Sequence, residues 1–170
     1  GAWGGASFVP LWPLSVVPGA YTLTVRGPWD AVAGVGTQPR VDLTFDTTAP
    51  DPNPPYLSHF GITTIKGRPV KSVHLGQPVE VHFKAHDDVH LKSVRLLVRV
   101  GPDGPWQRLP LHRSGGLYRA WLPTWVKPPR DGELPISLRI EADDAQGNGF
   151  THLLEPAVGL TLRGPHLPTP

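Results

Sequence analysis

The stretch Ile136-Ser-Leu-Arg-Ile-Glu-Ala142 alternates apolar and polar residues without a break and runs into the turn signal Gln146-Gly-Asn-Gly149. Side chains of a β-strand point to opposite faces in turn, so Ile136, Leu138, Ile140 and Ala142 are expected on a buried face and Ser137, Arg139 and Glu141 on a wet one. The same period of two returns in Val79, Val81, Phe83 and Ala85, in Val94, Leu96, Val98 and Val100, and in Tyr118, Ala120 and Leu122. Between these runs stand Gly67-Arg-Pro69, Gly76-Gln-Pro78, Gly101-Pro-Asp-Gly104 and Ser114-Gly-Gly116, each a turn signal. No window carries a helical period. About seven short strands at this spacing within about 110 residues predict an all-β, two-sheet sandwich.

Composition points the same way. The chain has 170 residues, of which 19 are Gly and 22 are Pro, well above average usage and unfavourable to long helices. Hydrophobic residues at 39% are too many for a disordered linker. The chain has no Cys, which excludes disulfides, Cys-ligated zinc, iron–sulfur clusters and thiol chemistry. It has no Met, even at position 1, so a processed product or a piece of a longer protein is expected. A net charge of +2 is too mild to argue for nucleic acid. The apolar stretch Phe8–Val17 is interrupted by Pro10 and Pro13 and has no basic residue before it, which suits neither a membrane span nor a signal peptide.

The chain also resembles itself. Residues 18–36 align without gaps on residues 131–149, so that Gly19 meets Gly132, Leu23 meets Ile136, Val25 meets Leu138, Asp30 meets Asp143, and Gly34 and Gly36 meet Gly147 and Gly149. Fixed-offset similarity is the signature of a tandem array of modules. Residues 1–49 then read as the C-terminal strands of a preceding module, 50–55 as a Pro-rich linker, 56–163 as one complete sandwich and 164–170 as a Pro-rich tail. Pro-rich segments of this kind act as extended spacers. The strands at Tyr21–Val25 and Val41–Phe45 have apolar faces but no opposing sheet of their own. Trp3, Trp12 and Trp29 are costly to leave in water, so the first segment is expected to dock on something.

Four runs carry a resemblance: Ala85-His-Asp-Asp88-Val-His-Leu-Lys-Ser-Val94-Arg-Leu-Leu-Val-Arg99, Trp106-Gln-Arg-Leu-Pro110-Leu, Gly115-Gly-Leu-Tyr118-Arg-Ala120-Trp-Leu-Pro123, and Arg139-Ile-Glu-Ala142-Asp-Asp-Ala-Gln-Gly147-Asn148. The chain resembles the immunoglobulin-like or fibronectin type III-like modules of bacterial secreted proteins. It departs from their pattern in two places: Ile136 and Leu138 stand where paired aromatics are common, and Val89-His90 where a Gly often follows the Asp pair. The resemblance implies a secreted or cell-surface setting and a place beside a catalytic domain, such as a subtilisin-like or metallo-type protease or another hydrolase. It implies the role of spacer, stabiliser or substrate-docking element. The implied partners are the neighbouring domains of the same polypeptide, with a polysaccharide or protein substrate beyond them.

Candidate sites follow from residue type and spacing. His82, His86 and His90 are four apart, but on a strand that separates them by roughly 13 Å, too far to share one ion. Asp87 and Asp88 before one strand, and Asp143 and Asp144 at the last hairpin, are weak candidates for calcium, because neither turn alone supplies the six to eight oxygens it takes. The preferred reading there is turn capping by Asp143 and Asn148, with Gly147 or Asn148 at positive φ. Trp121 and Trp125, with Arg95, Arg99 and Arg119 taken to share the outward strand faces, form a candidate platform for a sugar ring or a peptide. No nucleophile elbow, zincin helix, phosphate loop or dinucleotide fingerprint occurs, so no enzyme is expected within this chain.

Overall fold

In the computed structural model, residues 17–26, 39–70, 72–126 and 134–161 are described. Within them the alternating runs become strands: β1 (Ala20–Arg26), β2 (Arg40–Asp46), β3 (Tyr56–Thr64), β4 (Ser72–His74), β5 (Val79–His86), β6 (Leu91–Val100), β7 (Gln107–Leu109), β8 (His112–Ser114), β9 (Leu117–Trp121), β10 (Leu134–Asp144) and β11 (Gly149–Thr161). One sheet runs β1-β2-β11-β10-β6-β7, with β4 beside the far half of β11; the other runs β3-β5-β9-β8. Pairing is antiparallel throughout except for β4, which lies parallel to β11. Among the described residues there is no helix, hence none long and apolar enough to cross a membrane.

The two sheets close on one core. Ile62, Val79, Val81, Phe83, Tyr118 and Ala120 from the four-stranded sheet meet Leu96, Val98, Ile136, Leu138, Ile140 and Leu154 from the other. All of these but Ile62 and Leu154 are residues the period of two assigns to the interior, and Leu96, Ile136, Leu138 and Ile140 are fully out of water. Each such side chain contributes roughly 1.5–3 kcal/mol by burial. The Phe83 and Tyr118 rings stack across β5 and β9 at 5.5 Å.

β11 serves two neighbours in succession. Its first half pairs with β2, Phe150 opposite Leu43 and His152 opposite Val41, and its last residues pair with β4. Pro156 lies between the two stretches, where the β10 register jumps from Leu138↔Leu154 to Ile136↔Val158. A proline has no N–H for a ladder, so a break in pairing is where it fits.

The β1–β2 hairpin is therefore continuous with the larger sheet. Val41, Leu43 and Phe45 pack with Ala142 and Phe150 in a second apolar cluster beside the first. The Pro-rich 50–55 segment does not stand off as a spacer: Asp51 and Pro55 are buried. Proline restricts the backbone of that segment but does not decide whether its side chains find a cavity. Trp3, Trp12 and Trp29, the Asp30–Gly36 part of the repeat and the 164–170 tail lie outside the described residues.

Candidate functional site

β5 and β10 belong to different sheets but finish at the same end of the sandwich, where Ala145 N–H donates to the His90 carbonyl at 3.0 Å. The inward parity of Val79, Val81 and Phe83 carries along β5 to Asp87. That of Ile136, Leu138, Ile140 and Ala142 carries along β10 to Asp144. One aspartate thus arrives from each sheet at the rim of the core. Asp144 is fully buried and shapes the last hairpin, accepting hydrogen bonds from the N–H groups of Gln146 (2.7 Å) and Asn148 (2.8 Å). Gly147 makes this turn at φ +93°, a region glycine enters without a Cβ penalty.

Asn148, 1% exposed, ties three segments together. Its Oδ1 accepts from the Asp46 N–H at 3.2 Å, and its Nδ2 donates to Asp144 Oδ2 at 2.6 Å and to the Asp51 carbonyl at 2.9 Å. These bonds draw the 50–55 segment across the end of the sandwich and carry the Asp51 side chain inward. Asp51 Oδ1 accepts from the Asn53 N–H at 3.0 Å, while Asp87 Oδ2 accepts from the N–H groups of His90 (2.6 Å) and Val89 (3.3 Å). One carboxylate oxygen each from Asp51, Asp87 and Asp144 then lie within 4.8 Å of one another. Asp51 Oδ2 and Asp87 Oδ1 are buried without a hydrogen-bond partner. Burial pushes the Asp87 carboxyl above the ordinary carboxylate range; Asp144 and Asp88 add to this, and the His90 and Val89 amides oppose it.

Of the four acidic candidates in the turns, the structure unites Asp87 and Asp144 and parts them from the others. Asp88 is exposed and accepts from Asn53 Nδ2 at 2.8 Å. Asp143 faces outward, accepting from Ser93 Oγ at 2.7 Å and from Arg95 at 3.0 Å. The turn-capping role expected of Asp143 belongs to Asp144, and simple continuation of the period of two along β10 identifies it. Asp51 carried no such signal, because a proline-rich segment has no period to extend.

The candidate aromatic–guanidinium platform is divided between the two sheets. Arg95 and Arg99 stand on β6 in the seven-stranded sheet, whereas Arg119 and Trp121 stand on β9 in the four-stranded one. Both strands turn these residues away from the shared core, so the two sets occupy opposite outer faces of the sandwich. Arg95 pairs with Glu141 (3.1 Å) and Asp143, and Arg99 pairs with Glu155. The aromatic that the outer face supplies is Trp106, with the Arg99 and Arg139 guanidinium carbons 4.9 and 5.1 Å from its ring centre. Trp121 is 48% exposed and Trp125 70%. The histidines of β5 serve the four-stranded sheet: His86 Nε2 lies 2.6 Å from Ser58 Oγ, and the His82 ring lies where a Cβ on Gly61 would stand.

Comparison with protein-family models, with curated proteins and with solved structures finds no match for this chain.

Proposed function

We propose that this chain is a non-catalytic accessory module with an immunoglobulin-like or fibronectin type III-like fold, acting as a spacer, stabiliser or substrate-docking element. Its parent is a larger secreted bacterial protein, with an extracellular subtilisin-like or metallo-type protease as the leading candidate. The observation that carries this reading is the pairing of the two hairpins. Shifting Val25↔Val41 and Arg26↔Arg40, the two β1–β2 pairs at the ends of those strands nearest the turn, by 113 positions gives Leu138↔Leu154 and Arg139↔Leu153, which are pairs of β10–β11. Tyr21↔Phe45 and Leu23↔Leu43, by contrast, fall two residues out of register with Leu134↔Leu160 and Ile136↔Val158, beyond the β10–β11 irregularity. The offset of the matching pairs is the one at which the sequences align, and it supports a chain built by repeating one module. Repetition suits a spacer array, whereas a reaction centre gains nothing from a second copy of a hairpin.

The test has two arms. The purified chain, incubated with casein and with a panel of soluble polysaccharides, is expected to give no turnover. Peptide sequencing of the parent polypeptide, captured from its source with antibody to this chain, is expected to find a hydrolase domain on the same polypeptide. Hydrolysis by the chain alone, or a parent without any catalytic domain, overturns the reading.

A second reading, a module that binds carbohydrate or a cell surface, is favoured by one observation. Arg119 and Trp121 are two apart on β9 and both exposed, with Trp125 exposed just beyond. Sedimentation with insoluble polysaccharides separates the two readings: binding that Trp121→Ala abolishes supports the second, and no binding leaves the spacer role.

A further inference from the structure

We propose that Asp51, Asp87 and Asp144 form a calcium site that fastens the 50–55 segment and the β10–β11 hairpin across the end of the sandwich.

The geometry fits that ion. Two oxygens bound to one calcium at 2.3–2.6 Å can stand no more than about 5 Å apart. The three carboxylate oxygens lie within 4.8 Å of one another. All three donors are hard oxygens, with no imidazole or thiolate among them, which suits calcium rather than a transition metal.

The second observation is independent of the clustering. Asp51 is only 7% exposed, and its Oδ2 is out of water without a hydrogen-bond partner. Among the described residues no Arg, Lys or His side chain pairs with Asp51, Asp87 or Asp144. An isolated carboxylate oxygen in such a place is costly, and three facing one another are costlier still. Elsewhere the chain neutralises its carboxylates directly: Arg40 meets Asp42 at 2.7 Å, and Arg95 serves both Glu141 and Asp143. A divalent cation between the three would supply the missing positive charge. Asp88, Val89 and His90 are exposed beside the cluster, so water reaches the ion from that side to complete its shell.

The consequence is mechanical. Asp87 belongs to the β5–β6 loop, Asp144 to the β10–β11 hairpin, and Asp51 to the segment that follows β2. One ion would join both sheets to the segment that leads in from β1–β2, stiffening the joint between the hairpin and the rest of the sandwich. This inference stands whether or not the chain is an accessory module.

The whole chain, stripped with a chelator, is titrated with calcium by calorimetry and melted by circular dichroism. Calcium at 100-fold over its Kd is expected to raise Tm by roughly 5–10 °C, with magnesium giving a smaller shift. Asp51→Asn keeps the shape and the Asn53 contact but loses the charge. It is expected to bind calcium at least about tenfold more weakly while keeping the calcium-free spectrum of the original. Asp87→Asn gives the same reading should Asp51→Asn fail to fold. Asp103→Asn, in the turn after β6, is expected to change nothing. No shift at about 10 mM calcium, above the range of weak extracellular modules, overturns the site. So does a shift that magnesium reproduces in full, or one that Asp51→Asn and Asp87→Asn both retain.

Discussion

Replacing His152 by leucine removes a titratable group from the seam where the β1–β2 hairpin joins the sandwich. His152 lies in β11 between Val41 of β2 and Ile140 of β10. Its ring meets Phe60 edge-on at 5.5 Å, and its Nε2 is buried with no hydrogen-bond partner. Burial pushes its pKa down to about 4 from the ordinary 6.5. The folded chain therefore binds a proton less readily than the unfolded one. Stability from this group is complete above pH 6.5 and is lost as the pH falls from there towards 4. At 1.36 kcal/mol per unit, the loss between pH 7 and pH 4.5 is roughly 2–3 kcal/mol. Urea unfolding at the two pH values, for the original and for His152→Leu, measures it. His82 and His86 are also pushed down by burial, but they are present in both proteins and cancel in the difference. The leucine variant is expected to lose about 2 kcal/mol less on acidification than the original. Equal losses, within about 0.5 kcal/mol, would show that the ring takes up its proton without disturbing the seam.

Four further substitutions test other parts of the structure. Leu138→Ala, at a fully buried site, is expected to cost about 2–5 kcal/mol. Arg139→Ala, which loses a contact with Trp106 and an ion pair with Glu141, should cost about 1 kcal/mol or less. Equal costs in urea unfolding would refute the facing of β10. Gly104→Ala would place a Cβ 2.2 Å from the Val100 carbonyl oxygen, backbone that cannot swing aside, and should lower stability by about 1–3 kcal/mol. An unchanged melting temperature would show that the 101–104 turn has another conformation. Asn148→Ala orphans the Asp46 N–H and the Asp51 carbonyl and should cost about 3 kcal/mol. It should also raise amide hydrogen exchange across residues 46–53, and unchanged protection there would deny Asn148 its role as the tie.

How much of this was written in the chain differs from element to element. Alternation alone placed β5, β6, β9 and β10 and named their buried residues, because burial of a strand face is decided residue by residue within one short window. The turns at Gly76, Gly101 and Gly147 were equally legible, since each requires a positive φ that its own residue accommodates. Local sequence carries no record of which strand lies beside which. That β2 would take the free edge of β11, leaving the 50–55 segment no room to extend as a spacer, follows from closing a sheet between residues about 100 apart. The same distance hid the candidate site. Asp87 and Asp144 could be read as inward by extending two strands, but their meeting depends on the two sheets ending together, and Asp51 arrives only because Asn148 holds its backbone. It likewise set Arg95 and Arg99 on one outer face and Arg119 on the other. The sequence by itself determined which side of each strand faces oil and which faces water. Only the tertiary structure decided which strands share a sheet, because hydrogen-bond pairing joins backbones whatever their side chains, and the choice among edges is made by the packing of the whole core.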